Sequence, residues 1–477
     1  MSERVTLIGL DFGTTTSSAV VAEADVARSA GTGRTEFGEL AVRYRSDLRF
    51  TPLSSSDHID VAALETYLDD WLSEGAVDEA NIFGGGALLT GLTAQRENAA
   101  ALVELVRRRL GDALIATADD PRLESWLAFM GSCAALSRSL PDRPVLNLDI
   151  GGGTTNCAVG LNGEVTDTAC LYIGARHVQV EPGTYRIESL SRFAQAAFAH
   201  LGITRGKGDE LQPQELDAWL ALNIALLESA VGIEPTPVPP ALIEQLTQSP
   251  FRRPCSRMTD SAPVVTFTGG VGQLIYAHAA GEPWPATTAF GDLGIDLAQR
   301  IAASPALSPD VDAHRPQSAG RATALGLMRH STEVSGSTLF LPDPGVLPLE
   351  DVPIFGTIDA ATDEAHIAAL LDLVRHSERG GCVQVTVGSH AADDVRALGE
   401  RLRSSLVASA FPPDRLLVLL VRENVGKTLG QYVTHWGARP WHIVAIDEVR
   451  DRDARYVRIG RPRAGIVPVS CYGLNDV

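Results

Sequence analysis

The chain has 477 residues, 45% of them hydrophobic and 21% charged, and a formal net charge of −19. That length exceeds one ordinary hydrophobic core and points to two or three domains, while the acidic balance argues against general binding to nucleic acid or anionic membranes, which need a basic surface. No run approaches the ~20 apolar residues that span a bilayer, the N-terminus lacks a signal-peptide pattern, and six scattered cysteines without a Cys-x-x-Cys pair read as small apolar filler in a reducing cytoplasm.

Val5 to Ile8 predicts a strand that runs into Gly9-Leu10-Asp11-Phe12-Gly13-Thr14-Thr15-Thr16, and Ser18 to Val21 resumes a strand. Glycine allows such a turn to bring backbone N–H groups close to an anion, and threonine adds hydroxyl donors. An aspartate at the strand end is placed to hold Mg²⁺ through water or to orient an attacking water. Val61 to Leu72 and Glu97 to Leu110 have helical spacing, on either side of a strand at Asn81 to Leu89 that contains Gly84-Gly85-Gly86. Arg107-Arg108-Arg109, the densest basic patch, reads as a solvated helix face. Leu123 to Leu140 predicts one helix rich in small residues.

The first device then recurs. Val145-Leu146 leads into Leu148-Asp149-Ile150-Gly151-Gly152-Gly153-Thr154-Thr155, and Cys157 to Val159 resumes a strand. Helices follow at Ser189 to Leu201, Gln214 to Ala230 and, after a proline-rich break from 234 to 240, Ala241 to Gln248. Val264 to Phe267 predicts another strand, ending in Thr268-Gly269-Gly270-Val271-Gly272, a turn bare enough to lie against a purine or ribose. Helix Ile295 to Ile301, a Pro/Ser/Ala/Asp linker from Ser304 to Ser318 and helix Arg321 to Met328 complete this part.

From about Leu347 a separate pattern begins. Strands Cys382–Val387, Leu416–Val421 and Ile443–Ile446 alternate with helices Asp393–Leu406 and Gly426–Tyr432, which predicts a small, mostly parallel sheet. Val425-Gly426-Lys427-Thr428 looks like the end of a P-loop, but Val421 stands where the leading glycine belongs, so Gly426 is read as a helix start. Only two of the 40 basic residues are lysines, Lys207 and Lys427, and neither is near the first two motifs in sequence. Charge on a phosphate would then fall to Mg²⁺, backbone amides, threonines or an arginine, which favours slow hydrolysis over fast phosphoryl transfer.

Two hairpins of one kind followed by a glycine turn predict duplicated lobes facing a nucleotide cleft. At this point the chain resembles the actin, heat-shock chaperone and sugar kinase ATPases over residues 5 to 335. The first and second phosphate loops are 9–16 and 148–155, and the adenosine loop is 267–272. Within that superfamily it is most similar to the reactivating factors of ethanolamine ammonia-lyase, the EutA family. The likeness lies in Leu10 to Ser17, in Thr90-Gly91-Leu92-Thr93-Ala94-Gln95-Arg96-Glu97-Asn98-Ala99, in Ser331 to Thr338, and in Gly426 to Gln431, Ile446-Asp447 and Gly465 to Val469. Leu92 and the stretch Met328 to His330 depart from the family pattern.

The resemblance implies an α/β, actin-like ATPase fold. Residues 1–143 form the first lobe, 144–303 the second, 304–346 a linker and return to the first lobe, and 347–477 a C-terminal α/β domain. It implies an ATP- and Mg²⁺-dependent chaperone, at most a slow ATPase, that releases damaged cobalamin from inactivated ethanolamine ammonia-lyase so that adenosylcobalamin can rebind. Adenosylcobalamin belongs to that client and is not expected to bind stably here. Asp11 and Asp149 would organise the metal and water, with Glu124 a further aid to the attacking water. Gly13, Thr14, Thr15, Thr16, Gly151, Gly152, Gly153 and Thr154 would hold phosphates, and Gly269, Gly270 and Gly272 would line the adenosine. A cytoplasmic location is expected, without nucleic-acid or membrane partners; a homodimer and a microcompartment location stay open. So do three rivals: the reactivase of another cobalamin enzyme such as diol dehydratase, a small-molecule kinase, and a filament-forming actin relative.

Overall fold

An antiparallel hairpin opens the chain: β1 (Glu3–Phe12) pairs with β2 (Thr16–Arg28), and β3 (Thr35–Phe37), β4 (Ala41–Arg45) and β5 (Arg49–Phe50) pair with the far side of β2. The structure, a computed structural model, describes the chain except residues 1–2, 14–15, 30–32, 56–57, 90–96, 111–113, 118–120, 234, 253–261, 318–320, 331, 337, 452–453, 464 and 475–477. Thr90 to Arg96 and Cys255 thus lie outside the described residues. A short ribbon, β6 (Leu53–Ser55) and β7 (His58–Ile59), leads to α1 (Val61–Glu74), capped by the Asp60 carboxylate, which accepts the Ala63 N–H. The strand β8 (Ile82–Leu89) lies parallel to β1, and after α2 (Ala99–Leu110) β9 (Leu114–Thr117) lies parallel to β8. Leu64, Leu68 and Trp71 of α1 and Leu102, Leu105 and Val106 of α2 recur at helical spacing, and both stripes close over Ile8, Leu10 and Phe12.

The single helix predicted over Leu123–Leu140 is two, α3 (Pro121–Ser132) and α4 (Ala134–Ser139). The break falls at Cys133, whose φ of −107° and ψ of −14° lie at the edge of the right-handed helical region, beside Ser132, whose hydroxyl donates back to the Ala128 carbonyl.

A second sheet repeats the first. Hairpin β10 (Val145–Ile150) and β11 (Thr155–Leu161) is followed by antiparallel β12 (Glu164–Leu171). After ribbon β13 (Val178–Val180) and β14 (Ile187–Leu190) come α5 (Arg192–Leu201), α6 (Pro213–Ala230) and α7 (Pro240–Gln245). Ser189 and Leu190, expected in a helix, end β14; Ser191 caps α5 by accepting the Ala194 N–H. Edge strand β15 (Thr247–Ser249) pairs with β12, β16 (Val264–Thr268) lies parallel to β10, and α8 (Gly269–Ala279) and α9 (Gly294–Ala303) follow. In both sheets a hairpin is flanked by a parallel strand next to its first arm, β8 in one and β16 in the other. Two lobes of this shared topology make up the actin-like fold.

The chain then re-enters the first lobe as α10 (Ala322–His330), where Ala324, Leu325 and Met328 pack with Val5 and Leu7. It crosses α3 at backbone contact distance. A Cβ on Gly131 would lie 1.9 Å from the Ala322 carbonyl oxygen, and one on Gly326 would lie 2.0 Å from that of Leu127. Only glycine fits at that crossing. On the same helix α3, Leu127 packs with Leu88 and Leu327 while Phe129 packs with Val145, Ala158 and Val264, so α3 is shared by the two lobes.

The last sheet contains β17 (Glu333–Val334), β18 (Leu349–Asp359), β19 (Gly381–Thr386), β20 (Leu417–Val421), β21 (Ile443–Ile446), β22 (Ala454–Ile459) and β23 (Pro468–Leu474), with α11 (Glu364–His376), α12 (Ala392–Ala408) and α13 (Gly426–Val433) between. Its order is β17-β23-β22-β18-β19-β20-β21. The parallel half is the one predicted, extended by β18; the antiparallel half was not, because β22 alternates arginines with its apolar residues and Arg458, now buried, is held by Glu350 at 2.9 Å. This domain is fastened to the first lobe through Glu448, which accepts the Thr35 N–H at 2.8 Å and lies 3.6 Å from the Arg28 guanidinium, and through Arg107–Glu350 at 3.7 Å.

Substituting Gly326→Ala should destabilise the protein by about 1–3 kcal/mol, the usual cost of overpacking. Gly206→Ala, where an added Cβ meets nothing within 4 Å, should stay within about 0.5 kcal/mol of the wild type. Chemical denaturation of the three proteins makes the comparison.

Candidate functional site

The two hairpins are the same to the residue. Asp11 pairs with Ser18 and Asp149 with Asn156, each seven positions on. Each turn is closed by the same bond: the Gly13 N–H donates to the Thr16 carbonyl, and the Gly151 N–H to the Thr154 carbonyl, both at 3.0 Å. The first turn is held from outside by the Thr51 hydroxyl, which donates to the Gly13 carbonyl at 2.7 Å. In the second, the carbonyls of Gly151 and Gly152 accept the N–H groups of Ala175 and Arg176 at 3.0 and 2.7 Å.

Both turns open on one cleft. Asp11, Gly13 and Thr16 line it from the first lobe. Asp149, Gly151, Gly152, Gly153, Thr154, Gly269 and Gly270 line it from the second, with Glu124 of α3 between. Thr14 and Thr15 lie outside the described residues. Glu124, which could have been a solvated helix residue, is 8% exposed and faces the cleft. Gly272 is not among the lining residues. It sits in α8, where its Cβ would lie 2.8 Å from the Phe267 carbonyl carbon. The glycine turn is therefore shorter than the sequence suggested: the helix starts at Gly269, whose φ of +78° and would-be Cβ contact of 2.4 Å with the Ile150 carbonyl oxygen demand glycine.

Sequence reasoning missed the group that holds Asp149. Thr268 stands opposite Asp149 in the β10–β16 register, and its hydroxyl donates to the Asp149 carboxylate at 2.5 Å. It occupies the N-cap position of α8 but makes no side-chain cap bond there. Behind it the Asn147 amide donates to Thr268 Oγ1 at 2.9 Å, and the Thr266 hydroxyl donates to Asn147 Oδ1 at 3.2 Å. The signal was present. In β10 Asn147 and Asp149 alternate with Leu146, Leu148 and Ile150, and in β16 Thr266 and Thr268 alternate with Val265 and Phe267, although both strands are buried on both faces. Polar residues at every second position of a buried strand must satisfy one another. Asn156, Leu48, Ala322 and Thr323 also line the cleft and were not foreseen.

Electrostatically the cleft is one-sided. Among its described lining residues are three carboxylates, Asp11, Glu124 and Asp149, and no lysine or arginine. Burial pushes Asp149 up to about 6, against the Thr268 hydrogen bond. Arg176, fixed by its backbone to the second turn, directs its guanidinium elsewhere, 3.9 Å from Asp292 and over the Phe50 ring of the first lobe at 5.6 Å. No group of three or more His, Cys, Asp or Glu among the described residues forms a metal cage. Two or three carboxylates with hydroxyls and backbone amides nearby suit instead Mg²⁺, which keeps several waters and takes one or two carboxylates plus phosphate oxygens. Next to the second turn His177 is fully buried with Nδ1 2.7 Å from the Ser191 hydroxyl; burial pushes its pKa down to about 4, opposed by the Gly153 backbone.

The family described as ethanolamine utilisation protein EutA matches residues 3–474. Ethanolamine ammonia-lyase reactivase EutA of Escherichia coli (strain K12) is 28% identical over 493 residues, covering 98% of this chain and 97% of the relative. The protein of the same description from Salmonella typhimurium is 27% identical over 482 residues, with 98% and 97% covered. Among solved structures, ethanolamine utilization protein EutJ from Carboxydothermus hydrogenoformans aligns over 68% of this chain and 89% of its own, at 15% identity and a TM-score of 0.29. The Aquifex aeolicus PPX-GPPA enzyme aligns over 68% and 91%, at 13% identity and a TM-score of 0.35.

The His177 pKa sets an acid-side expectation. The unfolded chain binds this proton near pH 6.5 and the folded one only near pH 4, so the stability this burial permits is whole above pH 6.5 and is lost as the pH falls toward 4. Asp149, raised in the fold, acts in the opposite sense and is common to wild type and variant. Between pH 6.5 and 4 the wild type should lose up to about 3 kcal/mol more than His177→Gln, read by denaturant unfolding at each pH.

Proposed function

The chain belongs to the EutA family of ethanolamine utilisation proteins, and we propose that it is a nucleotide-driven reactivating chaperone for ethanolamine ammonia-lyase. In this reading it uses ATP and Mg²⁺ to release damaged cobalamin from the inactivated lyase, so that intact adenosylcobalamin can bind. The observation that carries the proposal is the pair of identically registered hairpins facing one cleft whose described lining residues include three carboxylates and no lysine or arginine. A triphosphate cannot enter such a cleft alone, because like charges repel. It can enter with a divalent cation between phosphate and carboxylate.

Each group then has a task. Asp11 and Asp149 would hold Mg²⁺, and Thr268 keeps the Asp149 carboxylate oriented for this. The bound metal supplies charge neutralisation of the phosphates. Backbone N–H groups of the two glycine turns, with Thr14, Thr15, Thr16 and Thr154, grip phosphate oxygens. Gly269 and Gly270 line the adenosine, Gly270 with open space where a side chain would stand, and the first turn of α8 presents its N–H groups there without a side-chain cap. Glu124 accepts a hydrogen bond from the attacking water. Because the ligand touches both lobes, its binding and hydrolysis bias the lobes toward or away from closure, and closure sets affinity for the client. The membership of the family and the names of the two relatives support this choice of client.

The test uses lyase inactivated with a cobalamin analogue, to which the protein, ATP, Mg²⁺ and fresh adenosylcobalamin are added. Wild type should restore activity, and chelating Mg²⁺ should abolish it. Asp11→Ala and Asp149→Ala should slow recovery by about a hundredfold, the scale of losing a group that orients reacting charge. Thr268→Val should cost about tenfold, one charge-assisted hydrogen bond, and Thr268→Ser should keep most activity. A folded wild type that restores nothing overturns the proposal.

A further inference from the structure

Outside the cleft lining, residues 435–440 lie exposed after α13, and Trp436 is 67% accessible, the most exposed large apolar side chain among the described residues. His435 and Trp436 have φ of +53° and +57°. Two successive bulky residues in the left-handed region are a costly conformation. The turn is nonetheless well fastened. The Trp436 N–H donates to the Gln431 carbonyl at 2.7 Å, Arg439 N–H to the Thr434 carbonyl at 3.0 Å, and Ala438 N–H to the His435 carbonyl at 3.1 Å. The Thr434 hydroxyl donates to the Gly430 carbonyl at 2.8 Å, and the Trp436 ring stands edge-on to Tyr432 at 5.8 Å.

We propose that this turn is the docking anchor for the client protein, with Trp436 entering an apolar pocket whose rim is acidic. The inference rests on the reactivase reading above. A strained, rigidly held, outward-facing tryptophan has no folding role that its exposure explains. Its ordering entropy is already spent, which is what raises affinity at an interface. Tryptophan, tyrosine and arginine are the residue types that dominate binding energy. Arg403 of α12 lies 2.7 Å from His435 Nδ1, and Arg439 lies over Trp441. Val407, 46% exposed, is one helical turn beyond Arg403 and extends the apolar surface. Glu400, one turn before Arg403, is the acidic residue on the same helix stretch, so the two arginines make the turn locally basic in a chain of net charge −19. That charge pattern selects an acidic partner surface and disfavours nucleic acid, which the rest of the chain would repel.

The turn is also in mechanical series with the cleft. It ends α13, whose first residue Gly426 donates its N–H to Asp447 at 3.2 Å. The next residue, Glu448, holds Arg28 and Thr35, and Arg28 ends β2, the strand that begins in the first phosphate turn at Thr16.

The experiment uses the full chain and inactivated ethanolamine ammonia-lyase, with surface plasmon resonance in Mg-ATP and in Mg-ADP. Trp436→Ala should weaken lyase binding at least about tenfold, and Arg439→Glu by about three- to tenfold, while ATP hydrolysis and thermal melting stay at wild-type values. If Trp436→Ala binds the lyase as tightly as a wild type that does revive it, the docking inference is wrong and the reactivase reading stands. A wild type that neither binds nor revives the lyase removes both. Sedimentation decides one further case: if the wild type self-associates, Trp436→Ala does not, and lyase binding is unchanged, the turn is a contact between copies and the inference fails.

Discussion

Three carboxylates facing one cleft without a cation among its described lining residues is the constraint on which the rest of this structure turns. Burial raises Asp149 toward neutrality. The Thr268 hydroxyl works against that rise and is itself held by Asn147. In the proposed reading, a divalent cation sits with these carboxylates when an anionic ligand enters beside them. The hairpins deliver the carboxylates, the glycine turns leave them uncovered, and α3 brings Glu124 from the junction of the two lobes.

That junction is unusually close. At the α3–α10 crossing, Gly131 and Gly326 let two helices meet backbone to backbone. The contact belongs to the first lobe, while the same α3 also buries Phe129 in the second. A helix shared in this way transmits a change in one lobe to the other without a flexible linker, which suits a ligand held from both sides.

Much of this was legible in the sequence, for physical reasons that differ by element. The hairpins were readable because Asp-x-Gly after an apolar run fixes strand, turn and strand at once. The helix α10 returning to the first lobe was not derivable from periodicity alone; it came with the family resemblance. The length of α3 was misjudged because apolar spacing continues through Cys133 and a serine back-bond leaves no mark on that pattern. Gly272 was grouped with Gly269 and Gly270 because spacing alone cannot separate a glycine that lines the cleft from one that lets α8 pack against the Phe267 backbone of β16. Thr268 was overlooked as a partner of Asp149 because register between β10 and β16, more than a hundred residues apart, is set only by the folded sheet. The antiparallel half of the last sheet was hidden by the arginines of β22, of which Arg458 is buried where Glu350 meets it while Arg455 stays exposed.

The central claim is one Mg²⁺-bound nucleotide shared by both hairpins, and isothermal titration calorimetry of the intact chain with ATP tests it most directly. The account predicts a single ATP per chain, uptake that requires Mg²⁺, and loss of that uptake when either Asp11 or Asp149 is replaced by alanine. Uptake that is indifferent to Mg²⁺, or that survives both replacements unchanged, contradicts it.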